Sequence, residues 1–222
     1  MHPRRTFQIV TAVLTGMASV GPIAEGGWTQ RTDMLSARSG LSACVVDGKI
    51  YAIGGGASRG VVTTAAEQYD PATDTWSTRA EMPTPRGFFG AGKVNGKIYV
   101  VGGYGSGGIH LASVEEYDPV LDTWTTKASM PTARDHVAAA AVGGKIYAVG
   151  GLSSGVTLRA LEEYNPVSDT WTRRSDMPTA RMQVSCSTVD GILYVIGGGV
   201  FQQSAQSTVE AYDPVSDTWT RK

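Results

Sequence analysis

"EEYDPVLDTWTTKASMPTARDH", residues 115–136, crowds acids, two prolines, a tryptophan, an arginine and a histidine into one stretch. That density is typical of an active site, but it also suits a scaffold that recurs. The stretch recurs. The five tryptophans, Trp28, Trp76, Trp124, Trp171 and Trp219, are separated by 48, 48, 47 and 48 residues. Methionine follows the first four by six residues, at Met34, Met82, Met130 and Met177. Arginine follows each methionine by four, at Arg38, Arg86, Arg134 and Arg181. Tyrosines at Tyr51, Tyr99, Tyr147 and Tyr194, then Gly-Gly pairs, keep the same phase. A second set, Tyr69, Tyr117, Tyr164 and Tyr212, precedes the later tryptophans by seven. A period near 48 makes each unit one supersecondary element of a repeat protein.

One unit reads as four short strands. "FGAGKV" alternates small and apolar residues, and "NG" is a two-residue hairpin turn. "KIYVVGG" is β-branched and aromatic, and its glycines end the strand where backbones approach closely. A variable polar loop follows, then "SVEEYDP" and "TWTTKASM". No segment keeps a helical period. A four-stranded sheet cannot bury both faces alone, so the units are expected to stack radially, each covering its neighbour. The recurring aromatics are expected to fill the gaps between sheets, at about 3–5 kcal/mol for each tryptophan lost.

Composition bounds the rest. The 222 residues are 41% hydrophobic and 18% charged, with a net charge of −1 and no basic block, which excludes nucleic acid as a partner. "MHPRR" and the uncharged run to Glu25 read as a secretory signal over residues 1–24. A secreted or periplasmic location follows, with a retained N-terminal membrane anchor as the alternative. Cys44 lies six residues after Arg38 but Cys186 lies five after Arg181. Strands alternate faces, so this register predicts two free, buried thiols.

The four segments "IYAIGG…EQYDPATDTW", "IYVVGG…EEYDPVLDTW", "IYAVGG…EEYNPVSDTW" and "LYVIGG…EAYDPVSDTW" resemble the kelch motif. The resemblance covers nearly all of residues 28–222 and implies an all-β, kelch-type β-propeller over 25–222. Its four-stranded blades fall at about 38–80, 86–128, 134–175 and 181–222, with an orphan outer strand, "WTQRTDM", ahead of them. Kelch propellers usually have six or seven blades, so the ring reads as incomplete; a closed four-bladed ring and a ring shared by two chains are the alternatives. Open blade faces would carry apolar surface, which predicts self-association.

Residues repeated once per blade are expected to be scaffold. Each arginine is expected to meet a glutamate (Glu67, Glu115, Glu162, Glu210) or a backbone carbonyl at a blade junction. Asp74, Asp122, Asp169 and Asp217 are expected to cap turns through their own backbone. Gly103, Gly105 and Gly108 satisfy G-x-G-x-x-G, but strand rather than helix follows, which excludes a dinucleotide site. Strand alternation puts the linker into each first strand and the loop after each second strand on one face. That face varies between units, and loops on a rigid frame carry binding. Its non-repeating side chains are Arg59, Phe88, Tyr104, His110, Asp135, His136, Arg159, Gln183, Phe201 and Gln202. They suit a binding module for an unidentified protein or glycan, with no cofactor or metal expected and no catalytic residue assigned. The resemblance also implies an enzyme alternative, since secreted kelch relatives include sialic-acid epimerases and copper radical oxidases. The copper reading would need more than the two non-leader histidines, His110 and His136.

Overall fold

The apolar alternation and tight turns of each repeat fold as antiparallel sheets. The computed structural model describes residues 28–57 and 60–222; the leader and Arg59 therefore lie outside the described residues. Blade 1 comprises Ser42–Val46, Lys49–Ile53, Ala66–Asp70 and Thr75–Arg79. Blade 2 comprises Gly90–Val94, Lys97–Val101, Val114–Asp118 and Thr123–Lys127. Blade 3 comprises Ala138–Val142, Lys145–Val149, Leu161–Asn165 and Thr170–Arg174. Blade 4 comprises Ser185–Val189, Ile192–Ile196, Val209–Asp213 and Thr218–Arg221. Strand order within each sheet follows the chain. The first hairpins close as expected: Val94 pairs with Lys97 around Asn95-Gly96, both at positive φ. That twist matches the twist of the flanking strands.

The core lies between blades. Three apolar clusters join blades 1–2, 2–3 and 3–4. Their largest fully buried members are the tyrosines of the third strands: Tyr117, Tyr164 and Tyr212 have no exposed surface. Trp76, Trp124, Trp171 and Trp219 are only half-buried, on the outer strands; Trp124, Trp171 and Trp219 pack against these clusters from the side, so of the recurring aromatics the tyrosines fill the gaps and the tryptophans flank them. Each of the four stacks at an angle on its cross-strand tyrosine, 4.9–5.2 Å away. The indole N–H also reaches back to the preceding linker: Trp124 donates to Ala80 O at 2.8 Å and Trp171 to Ala128 O at 2.9 Å.

The aspartate two residues before each of these tryptophans completes this grip. Asp122 accepts from the Ala80 N–H at 2.9 Å and from the Tyr117 hydroxyl at 2.6 Å; Asp169 does the same with Ala128 and Tyr164. These carboxylates therefore hold the neighbouring linker rather than cap their own turn. Turn capping falls to the residue after the tyrosine, as Asp118 accepts from Val120 N–H and Asn165 from Val167 N–H.

The expected arginine partners are present. Arg38, Arg86, Arg134 and Arg181 meet Glu67, Glu115, Glu162 and Glu210 at 2.6–3.0 Å with every side chain buried. Each pair ties an incoming linker to the third strand of the blade it enters. The Gly-Gly pairs receive the following linker: Gly103 N–H donates to Arg134 O at 2.9 Å and Gly151 N–H to Arg181 O at 3.0 Å. Gly150 sits at φ +62°, and a Cβ there would lie 2.3 Å from Arg181 O. Cys44 and Cys186 are free thiols packed against the first and third clusters. Burial pushes Cys44 up to about 11 and Cys186 up to about 12, so neither is a reactive thiolate at neutral pH.

Residues 28–34 form no strand, so the orphan outer strand is not formed among the described residues. Among the described residues no apolar cluster joins blade 4 to blade 1, consistent with an open ring. Val189 and Ile196 of blade 4 are 56% and 43% exposed. Their counterparts Val46 and Ile53 in blade 1, and Val94 and Val101 in blade 2, are buried at junctions.

Candidate functional site

The variable face is built by pairing each linker with the loop after the second strand. Arg86–Gly87 pairs with Tyr104–Gly105, and Asp135, Ser39 and Met182 form single bridges to Leu152, Gly56 and Gly199. Two residues past each arginine stands a position with left-handed backbone in all four units: Gly40 (φ 65°), Phe88 (φ 53°), His136 (φ 48°) and Gln183 (φ 53°). Only the first is glycine, so three side chains are held in a backbone state that costs about 1–3 kcal/mol each. Backbone bonds link them in series: Phe88 N–H donates to Gly40 O, His136 N–H to Phe88 O and Gln183 N–H to His136 O, at 2.8, 2.7 and 3.1 Å. Phe88 and His136 stack with ring centroids 4.4 Å apart. A Cβ on Gly40 would lie 3.0 Å from the Phe88 ring, so glycine there makes room for the row.

This row forms a collar, and two of its members, Phe88 and His136, line two neighbouring spaces. Below it is a channel of about 300 Å³ lined by residues 40–43, 88–91, 136–139 and 183–186, the starts of the four first strands. Above it is a cavity of about 750 Å³, lined by Ser39, Val61, Val62, Phe88, Tyr104, His110, Asp135, His136, Leu152 and Phe201 together with glycines. Small-molecule sites of this kind are concave and mostly apolar, with a few placed polar groups. The polar centre is Asp135, 2% exposed. Its Oδ1 accepts from His136 Nδ1 at 2.7 Å and its Oδ2 from His110 Nδ1 at 3.1 Å. His110 Nε2 accepts from the Ser154 N–H at 3.0 Å, so the cluster spans loops of blades 2 and 3. Among the described residues no group of three or more His, Cys, Asp or Glu side chains is arranged to hold a metal ion.

Six of the ten residues singled out in the sequence thus meet in one cavity: Phe88, Tyr104, His110, Asp135, His136 and Phe201. Gln183 lines the channel below instead. Arg159 donates through Nε to Met177 O at 2.8 Å and is a linker support outside the cavity. Gln202 is exposed and lines neither space. Leu152, Val61, Val62 and Ser39 line the cavity without having been singled out. Leu152 was legible, because it follows Gly150-Gly151 as Tyr104 follows Gly102-Gly103. The G-x-G-x-x-G stretch runs into a three-residue 3-10 turn, Ser106–Gly108, and then strand, not an α-helix.

A family model described as the KLHDC2/KLHL20/DRC7 Kelch-repeats domain matches residues 81–222, and one described as the Kelch motif matches residues 37–83. No curated protein matches the sequence. Among solved structures, one titled "Structure of YjhT" superimposes with a TM-score of 0.75 at 16% identity, over 86% of this chain and 67% of that one.

Proposed function

From the premise that this chain belongs to the kelch-repeat family, we propose that it is a binding module that takes a protein or glycan ligand in the cavity above the collar, acting outside the cytoplasm. The kelch-repeat propeller is a protein-interaction fold, and propellers present loops on a rigid frame. The observation that carries the reading is the convergence of six non-repeating side chains, three of them aromatic, on one concave space. Aromatic rings give large contact area with little ordering cost. The collar's left-handed side chains favour function over economy of folding, since strain of this kind clusters at ligand sites.

The test is capture by the immobilised protein on a glycan array and from a secreted-protein extract, repeated with Tyr104→Ala and Phe201→Ala. Loss of a captured ligand at unchanged melting temperature is the expected result. Capture that survives both substitutions would move binding off this face. A carbohydrate-active enzyme is the second reading, and one observation favours it: Asp135 orients His136 as it would a general base. Its signature is a bound ligand that is chemically converted over time rather than reversibly held.

A further inference from the structure

Nearly every polar atom of the Asp135 cluster is occupied. A backbone N–H can only donate, so the 3.0 Å contact from Ser154 leaves His110 Nε2 without a proton and puts that ring's hydrogen on Nδ1, facing Asp135 Oδ2. The carboxylate only accepts, so the 2.7 Å contact likewise puts the His136 hydrogen on Nδ1. In the neutral ring His136 Nε2 is then a bare lone pair, with no hydrogen-bond partner among the described residues. Its ring, with a side chain 18% exposed, lines both the cavity and the channel.

We infer that His136 Nε2 is the atom that reads the ligand, accepting a hydrogen bond from a hydroxyl of a neutral sugar ring lying in the cavity. This rests on the binding reading above and names its ligand class. Two features favour a sugar. Its C–H faces suit the flat rings of Tyr104 and Phe201, and its hydroxyls supply the donor that Nε2 lacks. A cavity of about 750 Å³ is also sized for a small molecule rather than for an extended peptide, which docks along sheet edges. Neutrality follows from the lining: among its described residues there is no Lys or Arg to pair with an acidic sugar, and Asp135 would repel one. Asp135 acts as a positioning residue, since it fixes which nitrogen of His136 stays bare.

Ring-nitrogen NMR of the full chain reads the tautomer directly. A proton on Nδ1 of His136 is expected; a proton on Nε2 of the neutral ring overturns the inference. The same sample is then titrated with neutral methyl glycosides, a uronic acid, an amino sugar and a short Ser/Thr-containing peptide. Saturable binding of a neutral glycoside that shifts the Nε2 resonance is expected. His136→Phe, which keeps a ring against Phe88, should weaken it roughly tenfold, the value of one hydrogen bond at about 1.4 kcal/mol. Asp135→Asn should weaken it as well, with a changed His136 tautomer signal. Glycoside binding unaffected by His136→Phe overturns the assignment. Binding of the peptide or a charged sugar alone, lost in Tyr104→Ala, overturns the ligand class but leaves the binding site standing. Binding of none of the probes overturns the ligand class and leaves the array and pull-down experiment to decide the site.

Discussion

Arg134 and Glu162 meet at 2.7 Å with both side chains buried, and the guanidinium also donates to Ala148 O at 3.1 Å. Burial pulls the Arg134 guanidinium below its ordinary value, and the facing carboxylate opposes that pull. The pair is buried, and Glu162 has two further partners, the Thr132 hydroxyl at 2.7 Å and the exposed Arg173 guanidinium at 3.4 Å. Arg134→Met alone should lower stability by about 3 kcal/mol in urea unfolding, because it takes the buried cation away from Glu162 and leaves that carboxylate only the more distant Arg173 as a counter-charge. The double replacement Arg134→Met with Glu162→Leu should regain a large part of that loss. A single substitution that costs under about 1 kcal/mol would show that the pair is not the tie between linker and blade.

The aspartates that clamp the linkers predict acid sensitivity. The hydrogen bond from the tyrosine hydroxyl, followed by that from the linker N–H, holds Asp122, Asp169 and Asp217 below the ordinary carboxylate value. A carboxylate lowered in the folded state contributes stability that is complete above its unfolded value of about 3.9 and is lost as pH falls through its folded value. Unfolding free energy should therefore be flat near neutrality and fall below about pH 4. Asp169→Asn should flatten that fall, as measured by urea unfolding at several pH values.

Gly150 and Gly143 offer a paired test of close approach against backbone strain. Both are left-handed, at φ 62° and 57°, but only Gly150 faces a carbonyl where a Cβ would go. Gly143→Ala should cost about 1 kcal/mol, from backbone strain alone. Gly150→Ala should cost clearly more, because the linker carrying Arg181 must move. Equal melting temperatures for the two variants would show that close approach of the linker does not require the glycine pair.

The open face of blade 4 predicts association. Val189 and Ile196 occupy positions that are buried in blades 1 and 2, and contiguous exposed apolar surface drives assembly. Light scattering of the chain should show concentration-dependent self-association, reduced in a Val189→Lys, Ile196→Lys variant. A stable monomer at high concentration would contradict this.

Much of the scaffold was legible because repetition is a strong signal. A residue in phase four times, such as the arginine beginning each unit, has a structural partner in phase with it. The repeat could not say how far each side chain is buried: the later tryptophans, which look like the core, sit half-exposed on outer strands, and the third-strand tyrosines fill the junctions. Nor could it say that Asp122 grips the preceding linker, because 42 residues separate it from Ala80. Of the site, the variable face was legible as whatever failed to repeat. Which of those residues converge was not, as Arg159 and Gln202 vary as freely as His110 yet lie outside the cavity.

By itself, then, the sequence determined the four-stranded blade, its hairpins, the phase in which arginine and glutamate recur and the face that varies, because period and alternation encode local pairing. Only the tertiary structure decided that the end of "EEYDPVLDTWTTKASMPTARDH" lines the cavity with His110. Asp135 becomes a bridge between two histidines only when the loop carrying His110, in blade 2, is folded against the linker entering blade 3. That closure is a distance in space between positions 25 residues apart, and no local pattern records it.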